Sequence, residues 1–507
     1  MDTVTLIATL TTPQTRMGIQ KVPKEVTWLQ IRTDLIGDIP GEWLRSHFPG
    51  KLLYTLRTCS AGGQFDRSQA ERHRRLLAAA NDYDLVELEA DSDLECGLLE
   101  AIPPDKRMIV WRGKDCKAGQ FEARFLQIAT VPAACYCMIA AATQTSDGLE
   151  PLRFLSSLKR TDVVAFCEGA AGLWSQLLSP YFGAPFIFGD LDNPMRPKGR
   201  LHVQQLITDY GFPALRPVRE LYGMVGTRIL QSPSPRLHNT AYRILNLPAL
   251  FLPFHAENFE DFWKNIVESG IVDSLGATLK GLVTVSPHKE AALAVAAASS
   301  SMVRKAGAGN VVVRRHGVWE AETTDPEAIA GVKDLCPMKA AVIGCGGAGR
   351  AVAAALQRTG SEVTLVNRGL RRGADAVELL GLPFVPLSEF RPNGFNLIVN
   401  ATPVGKDNDG FPFIIDNLSY GTLVIDLAYG PHPTPLVSAT LARGGIAIDG
   451  YDVLFAQVRK QFHLMTGLEM PATLGRETAL ASNGAYNCAE PVLPAAQGTP
   501  TMCECDI

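Results

Sequence analysis

The stretch AAVIGCGGAGRAVAAAL, residues 340–356, decides the fold of the C-terminal half of this 507-residue chain. A short apolar run leads into a glycine-rich turn, and a run of small residues follows it. The apolar run is typical of a buried strand, and the small residues are typical of a closely packed helix. Glycines in such a turn let a pyrophosphate approach the backbone at the helix N-terminus. The stretch therefore predicts a Rossmann-like dinucleotide-binding unit, whose cofactor-binding residues are Gly344, Gly346, Gly347, Ala348 and Gly349.

The residues after the next predicted strand indicate which dinucleotide binds. Folds that bind NAD usually place an acidic residue about 20 residues beyond the turn, on the ribose 2′-hydroxyl. This chain instead has Val366-Asn367-Arg368-Gly369, with Arg371 and Arg372 close behind. A guanidinium group can bind a 2′-phosphate through two hydrogen bonds, so Asn367, Arg368 and Arg372 predict NADP. A packing turn beside a solvated arginine cluster would explain the same residues, but strand, turn, helix and arginine in register disfavour it.

Polar motifs surround this stretch on both sides. In chain order they are GTRILQSPSPRLHN (226–239), SPHKE (286–290), GAGN (307–310), TTD (323–325), NATPVG (400–405), DLAY (426–429), and Gly450 with Gln457. This order resembles that of the shikimate dehydrogenases, over roughly residues 219 to 485. The resemblance implies an α/β substrate domain and a reversible reduction of 3-dehydroshikimate to shikimate by NADPH.

The resemblance also assigns roles to individual residues. Lys289 and Asp325 are implied as the catalytic pair, with Lys289 moving the proton and Asp325 orienting it, since an ammonium group is a compact donor whose pKa responds to its surroundings. The implied substrate-binding residues are Ser232, Ser234, Thr284, Asn310, Tyr429 and Gln457, with the two serines at the substrate carboxylate. Further implied cofactor-binding residues are Asn400, Thr402 and Gly450.

Some positions depart from the family pattern. The segment before Lys289 reads Val283-Thr284-Val285 where the family usually has Asn and Thr, so a substrate-binding hydroxyl is lost or displaced by one residue. Thr323 stands for the Asn of the family's NTD motif, and Val311 stands for a Thr. These changes keep the reaction class and leave the substrate open between shikimate, quinate and another cyclic hydroxy acid.

The N-terminal part repeats short apolar runs followed by longer mixed segments. The eight runs are VTLIATL, VTWLQIRTD, LLYTLRT, DLVELEA, RMIVWRG, ACYCMIAA, DVVAFCEG and APFIFGD. Eight β-like runs with this spacing predict a (β/α)8 barrel, in which residues at the strand C-termini face the active-site mouth. We therefore expect a barrel from residue 1 to about 217.

Fusion of such a barrel to the second half resembles the bifunctional 3-dehydroquinate dehydratase/shikimate dehydrogenases. Their first domain is a type I dehydratase, which uses a lysine amine to form an imine and a histidine to move a proton. The lysine position is Cys137 here and the histidine position is Arg112. Three further pocket positions have changed, namely Gln30 for Glu, Gln176 for the carboxylate-binding Arg and Arg200 for Gln. The hypothesis is a degenerate dehydratase barrel.

An alternative is that this strand register is off by one residue. Lys114 and Lys117 are then the nearest candidate amines, and the sequence has no histidine between His73 and His202. A fully bifunctional enzyme remains the first rival. A non-catalytic protein that senses metabolites with both halves is the second.

Bulk composition excludes several other classes of protein. The formal net charge of −4 gives no reason to expect a nucleic acid or an anionic membrane as partner, and we expect a small-molecule substrate. The 11 cysteines have no zinc-site spacing, so no metal is expected. Residues 1–18 lack the features of a signal or transit peptide, and no run is apolar enough to span a bilayer, which together predict a cytoplasmic protein.

These observations predict an α/β protein with three units. They are the barrel, a substrate-binding unit of residues 219–338 plus 451–485, and an NADP-binding unit of residues 339–450. Residues 486–507 combine Pro, Gly, Ala and three cysteines without periodicity, which predicts a disordered tail.

Overall fold

The computed structural model describes residues 2–12, 18–19, 21–191, 199–332, 337–406, 409–430 and 432–480. Within these residues the chain forms three main sheets, one after another along the sequence. The predicted tail, residues 486–507, lies outside the described residues. None of the helices in the described ranges combines the length and the apolar character that a bilayer crossing requires.

The described residues of the N-terminal part contain ten strands. They are β1 (Asp2–Thr3), β2 (Thr5–Leu10), β3 (Trp28–Arg32), β4 (Lys51–Thr55), β5 (Leu85–Glu89), β6 (Arg107–Gly113), β7 (Cys135–Ala141), β8 (Val163–Glu168), β9 (Phe186–Asp190) and β10 (Ala214–Leu215). The short strands β1 and β10 pair with each other in antiparallel fashion. Strands β2 to β9 form one parallel sheet in the order β8-β7-β6-β5-β4-β3-β2-β9, which is a nearly closed barrel.

Helices lie between these strands. They are α1 (Thr33–Ile36), α2 (Gly41–His47), α3 (Gln69–Asp82), α4 (Cys96–Ala101), α5 (Gln120–Ile128), α6 (Leu149–Leu158), α7 (Leu173–Leu178) and α8 (Val203–Tyr210). Barrel strands are apolar along most of their length because the helices cover one face and the barrel interior the other. Each predicted apolar run forms one barrel strand, so the predicted barrel is confirmed.

The second sheet has six strands within the described ranges. They are β11 (Glu220–Gly226), β12 (Ala249–His255), β13 (Thr278–Thr284), β14 (Ala298–Ser299), β15 (Val311–Arg315) and β16 (Val318–Glu322), in the order β12-β11-β13-β15-β16-β14. The helices of this segment are α9 (Ser234–Ile244), α10 (Phe259–Phe262), α11 (Ile271–Ser274), α12 (Lys289–Ala294) and α13 (Ser301–Ala306). Strand β15 runs antiparallel to both β13 and β16, so this sheet is mixed.

The third sheet is parallel throughout. Its strands are β17 (Lys339–Ile343), β18 (Glu362–Asn367), β19 (Phe384–Pro386), β20 (Leu397–Asn400), β21 (Leu423–Asp426) and β22 (Ile446–Ile448), in the order β19-β18-β17-β20-β21-β22. Its helices are α14 (Gly347–Arg358), α15 (Leu370–Leu380) and α16 (Pro435–Ala442). The strand order reverses at β17, and ligands of open α/β sheets bind at such a switch point. The predicted Rossmann-like topology is confirmed.

The last two helices, α17 (Gly450–Thr466) and α18 (Arg476–Leu480), return to the second sheet. Phe462 and Met465 of α17 are buried in the same apolar cluster as Tyr222 of β11 and Tyr242 of α9. The return places Gln457, in the middle of α17, within hydrogen-bond distance of Asp325.

The barrel packs directly against the second sheet. Trp174 of α7 is 1% exposed, and its ring centroid lies 5.5 Å from that of Phe254 in β12. The Thr145 hydroxyl donates to the His255 carbonyl at 2.6 Å. One apolar cluster therefore contains residues of both the barrel and the second sheet.

Candidate active site

Lys289 and Asp325 form an ion pair at the edge of the second sheet. Lys289 begins α12, and Asp325 begins a short 3-10 helix, Asp325–Ile329. The Lys289 Nζ lies 2.8 Å from both carboxylate oxygens of Asp325. The lysine side chain is 16% exposed and the aspartate side chain 3%. The ammonium group can thus reach a ligand while its partner stays fixed inside the protein.

Two amides hold the Asp325 carboxylate in place. Asn310 Nδ2 donates to Oδ1 at 3.2 Å, and Gln457 Nε2 donates to the same oxygen at 3.1 Å. Asn310 comes from the turn before β15, Gln457 from α17 and Lys289 from α12. Three segments that are separate in sequence therefore meet at the Asp325 carboxylate. The structure thus brings the predicted catalytic pair together with two of the predicted substrate-binding residues, Asn310 and Gln457.

The glycine-rich turn lies beside Lys289. A Cβ atom built at Gly347 would lie 3.2 Å from the Lys289 Cβ and 3.4 Å from its Cδ. Gly347 is the first residue of α14, where free backbone N–H groups and the helix dipole favour an anion. A dinucleotide held at this turn would therefore lie against the ion pair.

The turn itself has the geometry that its glycines allow. Gly344 has φ +105°, a backbone conformation that favours glycine. A Cβ at Gly349 would overlap the Gly344 carbonyl oxygen, so the helix can approach the strand only with glycine there. The Cys345 N–H donates to Asn367 Oδ1 at 3.1 Å, which joins the turn to the end of β18. These contacts give the turn the form that a pyrophosphate needs.

Arginine side chains project at the end of β18 and the start of α15. Arg368, Arg371 and Arg372 are all exposed, and none of them forms an ion pair within the described ranges. Guanidinium groups in this position are available to a phosphate on the ribose of a dinucleotide. The hydrogen-bond donors of these three arginines fit the 2′-phosphate of NADP.

Three other predicted cofactor-binding residues, Asn400, Thr402 and Gly450, pack against neighbouring parts of the protein around the glycine-rich turn. Asn400 is fully buried, donates to Asp426 Oδ1 at 2.8 Å and accepts from the Thr402 hydroxyl at 2.7 Å. Thr402 Cγ2 would lie 2.9 Å from a Cβ at Gly344. A Cβ at Gly450 would overlap the Ala428 carbonyl, so this glycine allows α17 to start close to β21. Asn400 and Gly450 therefore hold the backbone segments next to the glycine-rich turn close together.

Ser232, Ser234 and Tyr429 form a hydroxyl cluster near the N-terminus of α9. The Ser232 hydroxyl donates to the Ser234 hydroxyl at 3.1 Å and accepts from the Ser234 N–H at 3.3 Å. Tyr429 lies near Ser232, and burial raises the pKa of its phenol. The phenol is therefore protonated at neutral pH, and the cluster can donate hydrogen bonds to a carboxylate.

The structure does not bring Thr284 to the cleft. Its side chain is fully buried, and its hydroxyl donates to the Gly309 carbonyl at 2.9 Å. Val283 and Thr284, the last residues of β13, are both buried, whereas the following residue, Val285, is only partly buried. The predicted substrate-binding hydroxyl is engaged with the backbone.

The sequence analysis missed two supporting residues, Thr324 and Gln461. The Thr324 N–H donates to Asn310 Oδ1 at 2.7 Å, and Gln461 Nε2 donates to the Thr324 hydroxyl at 3.2 Å. Gln461 follows Gln457 by four residues, so both lie on one face of α17. That helical spacing was the signal that would have identified Gln461 from sequence.

The barrel has its own cavity, and all five altered dehydratase positions line it. These residues are Gln30, Arg112, Cys137, Gln176 and Arg200. Cys137 is 1% exposed. Lys114 and Lys117, the alternative amines, do not line the cavity, and the described lining contains no lysine or histidine. Among the described residues, no cluster of three His, Cys, Asp or Glu side chains could hold a metal ion.

Both halves of the chain match known families. The model of the type I 3-dehydroquinase family matches residues 17–214, and that of the shikimate dehydrogenase substrate binding domain matches residues 224–312. The two matches meet near the boundary between the barrel and the second sheet.

Individual relatives cover the same two regions. The chloroplastic bifunctional 3-dehydroquinate dehydratase/shikimate dehydrogenase of Arabidopsis thaliana is 25% identical over 481 residues, which is 88% of this chain and 78% of that protein. The shikimate dehydrogenase (NADP(+)) of Thermococcus kodakarensis is 32% identical over 268 residues, covering 51% of this chain and 96% of the relative. A solved structure of shikimate 5-dehydrogenase from Thermus thermophilus, in complex with NADP(H) and shikimate, is 30% identical with a TM-score of 0.47, and covers 52% of this chain and 99% of that one.

Proposed function

Because this chain belongs to the shikimate dehydrogenase family and carries a type I 3-dehydroquinase domain ahead of its dehydrogenase half, we propose that it interconverts 3-dehydroshikimate and shikimate with NADP. The observation that carries the proposal is the Lys289–Asp325 ion pair, which lies beside Gly347 of the glycine-rich turn.

Lys289 moves the proton in this reaction. NADPH, when bound, supplies the hydride to the ketone carbon, and the carbonyl oxygen then develops alkoxide character. The Lys289 ammonium donates a proton to that oxygen, and in the reverse direction the neutral amine accepts it. Asp325 accepts hydrogen bonds from Lys289, and these bonds orient Nζ. Lys289 transfers the proton and Asp325 positions Lys289. Loss of either side chain therefore reduces the turnover rate more than the stability of the fold.

The remaining predicted site residues hold the two ligands. Ser232, Ser234 and Tyr429 bind the substrate carboxylate, while Asn310 and Gln457, which both donate to Asp325, lie beside the ring hydroxyls. The glycine turn and Asn367 hold the pyrophosphate side of NADP, and Arg368 with Arg372 pairs with its 2′-phosphate.

A second candidate substrate is another cyclic hydroxy acid, such as quinate. It is favoured by Thr284, whose hydroxyl is engaged by the Gly309 carbonyl, and by the apolar Val285 beside it. A substrate with a different set of ring hydroxyls would not need a hydrogen bond from the Thr284 hydroxyl.

The barrel, we further propose, does not dehydrate 3-dehydroquinate. A thiol at Cys137 can add to a ketone but cannot form the cationic imine that acidifies the neighbouring carbon. The Arg112 guanidinium cannot act as a base near neutrality. This proposal is supported by the cavity lining, whose described residues include both Cys137 and Arg112 and neither lysine nor histidine.

The proposed organisation is a barrel to residue 217, a substrate-binding unit of residues 219–338 plus 451–485, and an NADP-binding unit of residues 339–450. The proposed location is the cytoplasm.

Steady-state assays of the purified chain test the proposal. Shikimate, quinate and 3-dehydroquinate are each supplied, the first two with NADP or NAD, and both NADPH formation and enone absorbance are followed. We expect NADP-dependent oxidation of shikimate and no enone from 3-dehydroquinate. NADP binding without turnover of any hydroxy acid would instead favour the non-catalytic sensor.

A further inference from the structure

One arginine side chain joins the glycine-rich turn to the helix that carries Lys289. Arg350 lies in α14, three residues after Gly347, and is 6% exposed. Its Nη1 donates to the Cys345 carbonyl, inside the turn, at 3.1 Å. Its Nη2 donates to Oε1 of Glu290, the residue after Lys289, at 2.8 Å. A single guanidinium group therefore contacts both the predicted pyrophosphate turn and the start of α12.

The same guanidinium group also contacts the turn between α13 and β15. Its Nε donates to the Ala306 carbonyl at 2.7 Å, and its Nη2 donates to the Gly307 carbonyl at 3.4 Å. The last carbonyl groups of a helix have no acceptor role within that helix, so Arg350 supplies donors that the end of α13 needs. Asn310, which donates to the Asp325 carboxylate, follows in this turn. Arg350 thus connects to the catalytic pair from a second direction.

Backbone contacts complete the connection to Lys289. The Gly309 N–H donates to the Lys289 carbonyl at 2.9 Å. A Cβ atom built at Gly347 would lie only 2.9 Å from the Ala308 Cβ and 3.2 Å from the Lys289 Cβ. The glycine-rich turn, the start of α12 and the turn before β15 are therefore in close contact at the point where Arg350 bridges them.

The bonds of Arg350 differ in how strongly water weakens them. The Glu290 side chain is 55% exposed, so its ion pair with Arg350 is screened and contributes little. The three carbonyl groups, in contrast, accept from a guanidinium group that is almost fully buried. A lysine could not replace this arginine, because an ammonium is a compact charge without donors fixed in a planar fork.

We propose that Arg350 is a positioning residue for hydride transfer, an inference that rests on the proposed dehydrogenase function. Arg350 fixes the distance between the turn that holds the pyrophosphate of NADP and the ammonium group of Lys289. Reacting atoms must approach to about 3–3.5 Å, and a misplacement of about 1 Å costs about 10²-fold in rate. Loss of Arg350 should therefore slow turnover while the turn and the substrate residues keep their own ligand contacts.

The first test compares turnover with NADP binding in the full chain. Arg350→Met keeps the hydrocarbon stem, Arg350→Lys keeps the charge, and Glu290→Gln removes only the exposed ion pair. Arg358→Met, which removes an exposed arginine at the other end of α14, is the matched control. Calorimetric titration with NADP gives the Kd and the number of competent sites, and kcat for shikimate oxidation is expressed per site. Partial unfolding lowers the number of sites but not the kcat per site.

We expect kcat per site to fall by about 10²-fold in Arg350→Met, with little change in the Kd for NADP. Arg350→Lys should also be slow, and it decides the question alone if Arg350→Met does not fold. Glu290→Gln and Arg358→Met should stay close to the parent chain. Parental kcat per site in Arg350→Met, restoration of the rate in Arg350→Lys, or an equal loss in Arg358→Met would each overturn the proposal.

A second test needs no turnover. Acetic anhydride acetylates lysine amines, and mass spectrometry of peptides measures the rate at Lys289 with and without NADP, relative to the half-exposed Lys280. NADP should protect Lys289 in the parent chain and in Arg358→Met, and several-fold less in Arg350→Met, because the turn is no longer fixed against Lys289. Equal protection in Arg350→Met, or none in the parent chain, would overturn the proposal. A parent chain that oxidises no hydroxy acid yet shows the expected protection would refute the dehydrogenase function and retain Arg350 as the residue that positions the turn.

Discussion

Asp209 in α8 of the barrel forms an ion pair with Arg236 in α9, at 2.6 Å, and both side chains are more than nine-tenths buried. Arg236 also donates to the Ala479 carbonyl of α18 at 3.1 Å. Helix α9 begins at Ser234, one of the proposed carboxylate-binding residues. The barrel therefore holds the helix on which the substrate carboxylate site is built, whatever chemistry the barrel itself performs.

Asp209→Asn should destabilise the whole chain and weaken substrate binding. Removing one partner of a buried ion pair leaves the other uncompensated, which costs about 3–5 kcal/mol of unfolding free energy. Because α9 loses an anchor, the KM for shikimate should rise by a larger factor than kcat falls. Chemical denaturation and steady-state kinetics measure the two effects. Asp162→Asn, in an exposed pair with Arg160, is the control and should change stability by about 1 kcal/mol or less. Equal behaviour of the two variants would argue against a barrel anchor.

Lys289→Ala should abolish most turnover without unfolding the protein. Loss of a general acid reduces kcat by about 10²- to 10⁴-fold. The melting temperature should change little, because the Lys289 side chain is partly exposed and Asp325 keeps its amide partners. Initial rates with shikimate and NADP measure the effect, and Lys280→Ala, which removes a half-exposed lysine of β13, is the control. Undiminished turnover would remove Lys289 from the mechanism.

Arg368→Ala should weaken the preference for NADP over NAD. The variant loses charge-assisted hydrogen bonds to the 2′-phosphate, so the KM for NADP should rise roughly tenfold to a hundredfold. The KM for NAD, which has no such phosphate, should stay the same. Arg358→Ala, at the far end of α14 and also exposed, controls for general loss of positive charge. If both cofactors were affected alike, Arg368 would have another role.

Borohydride should trap no covalent adduct between the barrel and 3-dehydroquinate. Reduction captures an imine, and the described residues that line the barrel cavity include no lysine to form one. Mass spectrometry of the treated protein should give the unmodified mass. A lysine adduct in the barrel would show that dehydratase chemistry persists and would support the fully bifunctional alternative.

His238 should make stability fall on the acid side of neutrality. This histidine is fully buried and stacks on Phe251, and burial lowers its pKa to about 3. Below a pH of about 6.5 the unfolded chain binds a proton at this histidine that the folded chain does not, so stability decreases as pH falls from there towards 3. The slope from this one group approaches about 1.4 kcal/mol per pH unit.

The variant His238→Phe should lose that contribution. Urea unfolding at pH 5 and pH 7 gives the stability difference for each protein, and the difference should be smaller in His238→Phe than in the parent chain. His432→Phe, which replaces an exposed histidine, should keep the parental difference. An unchanged difference in His238→Phe would mean that another group takes up the proton.

The strands and the glycine turn were readable from sequence because they depend on local pattern. Each apolar run of the first 190 residues became a barrel strand, and AAVIG became β17 followed directly by the turn and α14. Burial on both faces makes such strands continuously apolar, and the turn requires glycine at fixed spacing. The order of polar motifs likewise predicted Lys289, Asn310 and Gln457 as partners of one site with Asp325, and all three donate hydrogen bonds to its carboxylate.

Thr284 shows where local pattern was insufficient. Its place in the motif order implied a substrate-binding hydroxyl, yet β13 turns it inward to the Gly309 carbonyl. Because residues 281–284 are all buried, the apolar pattern of β13 does not distinguish its two faces, and the packing of neighbouring elements decides which side chain meets a ligand.

By itself, then, the amino-acid order predicted the eight-stranded barrel, the Rossmann-like unit and its glycine-rich turn, since these follow from periodicity and from residue type. Only the tertiary structure decided which side chains meet: Lys289 with Asp325, and Asp209 with Arg236. Those pairs join segments that are far apart along the chain, and their approach is set by how helices and sheets pack, which no short stretch of sequence encodes.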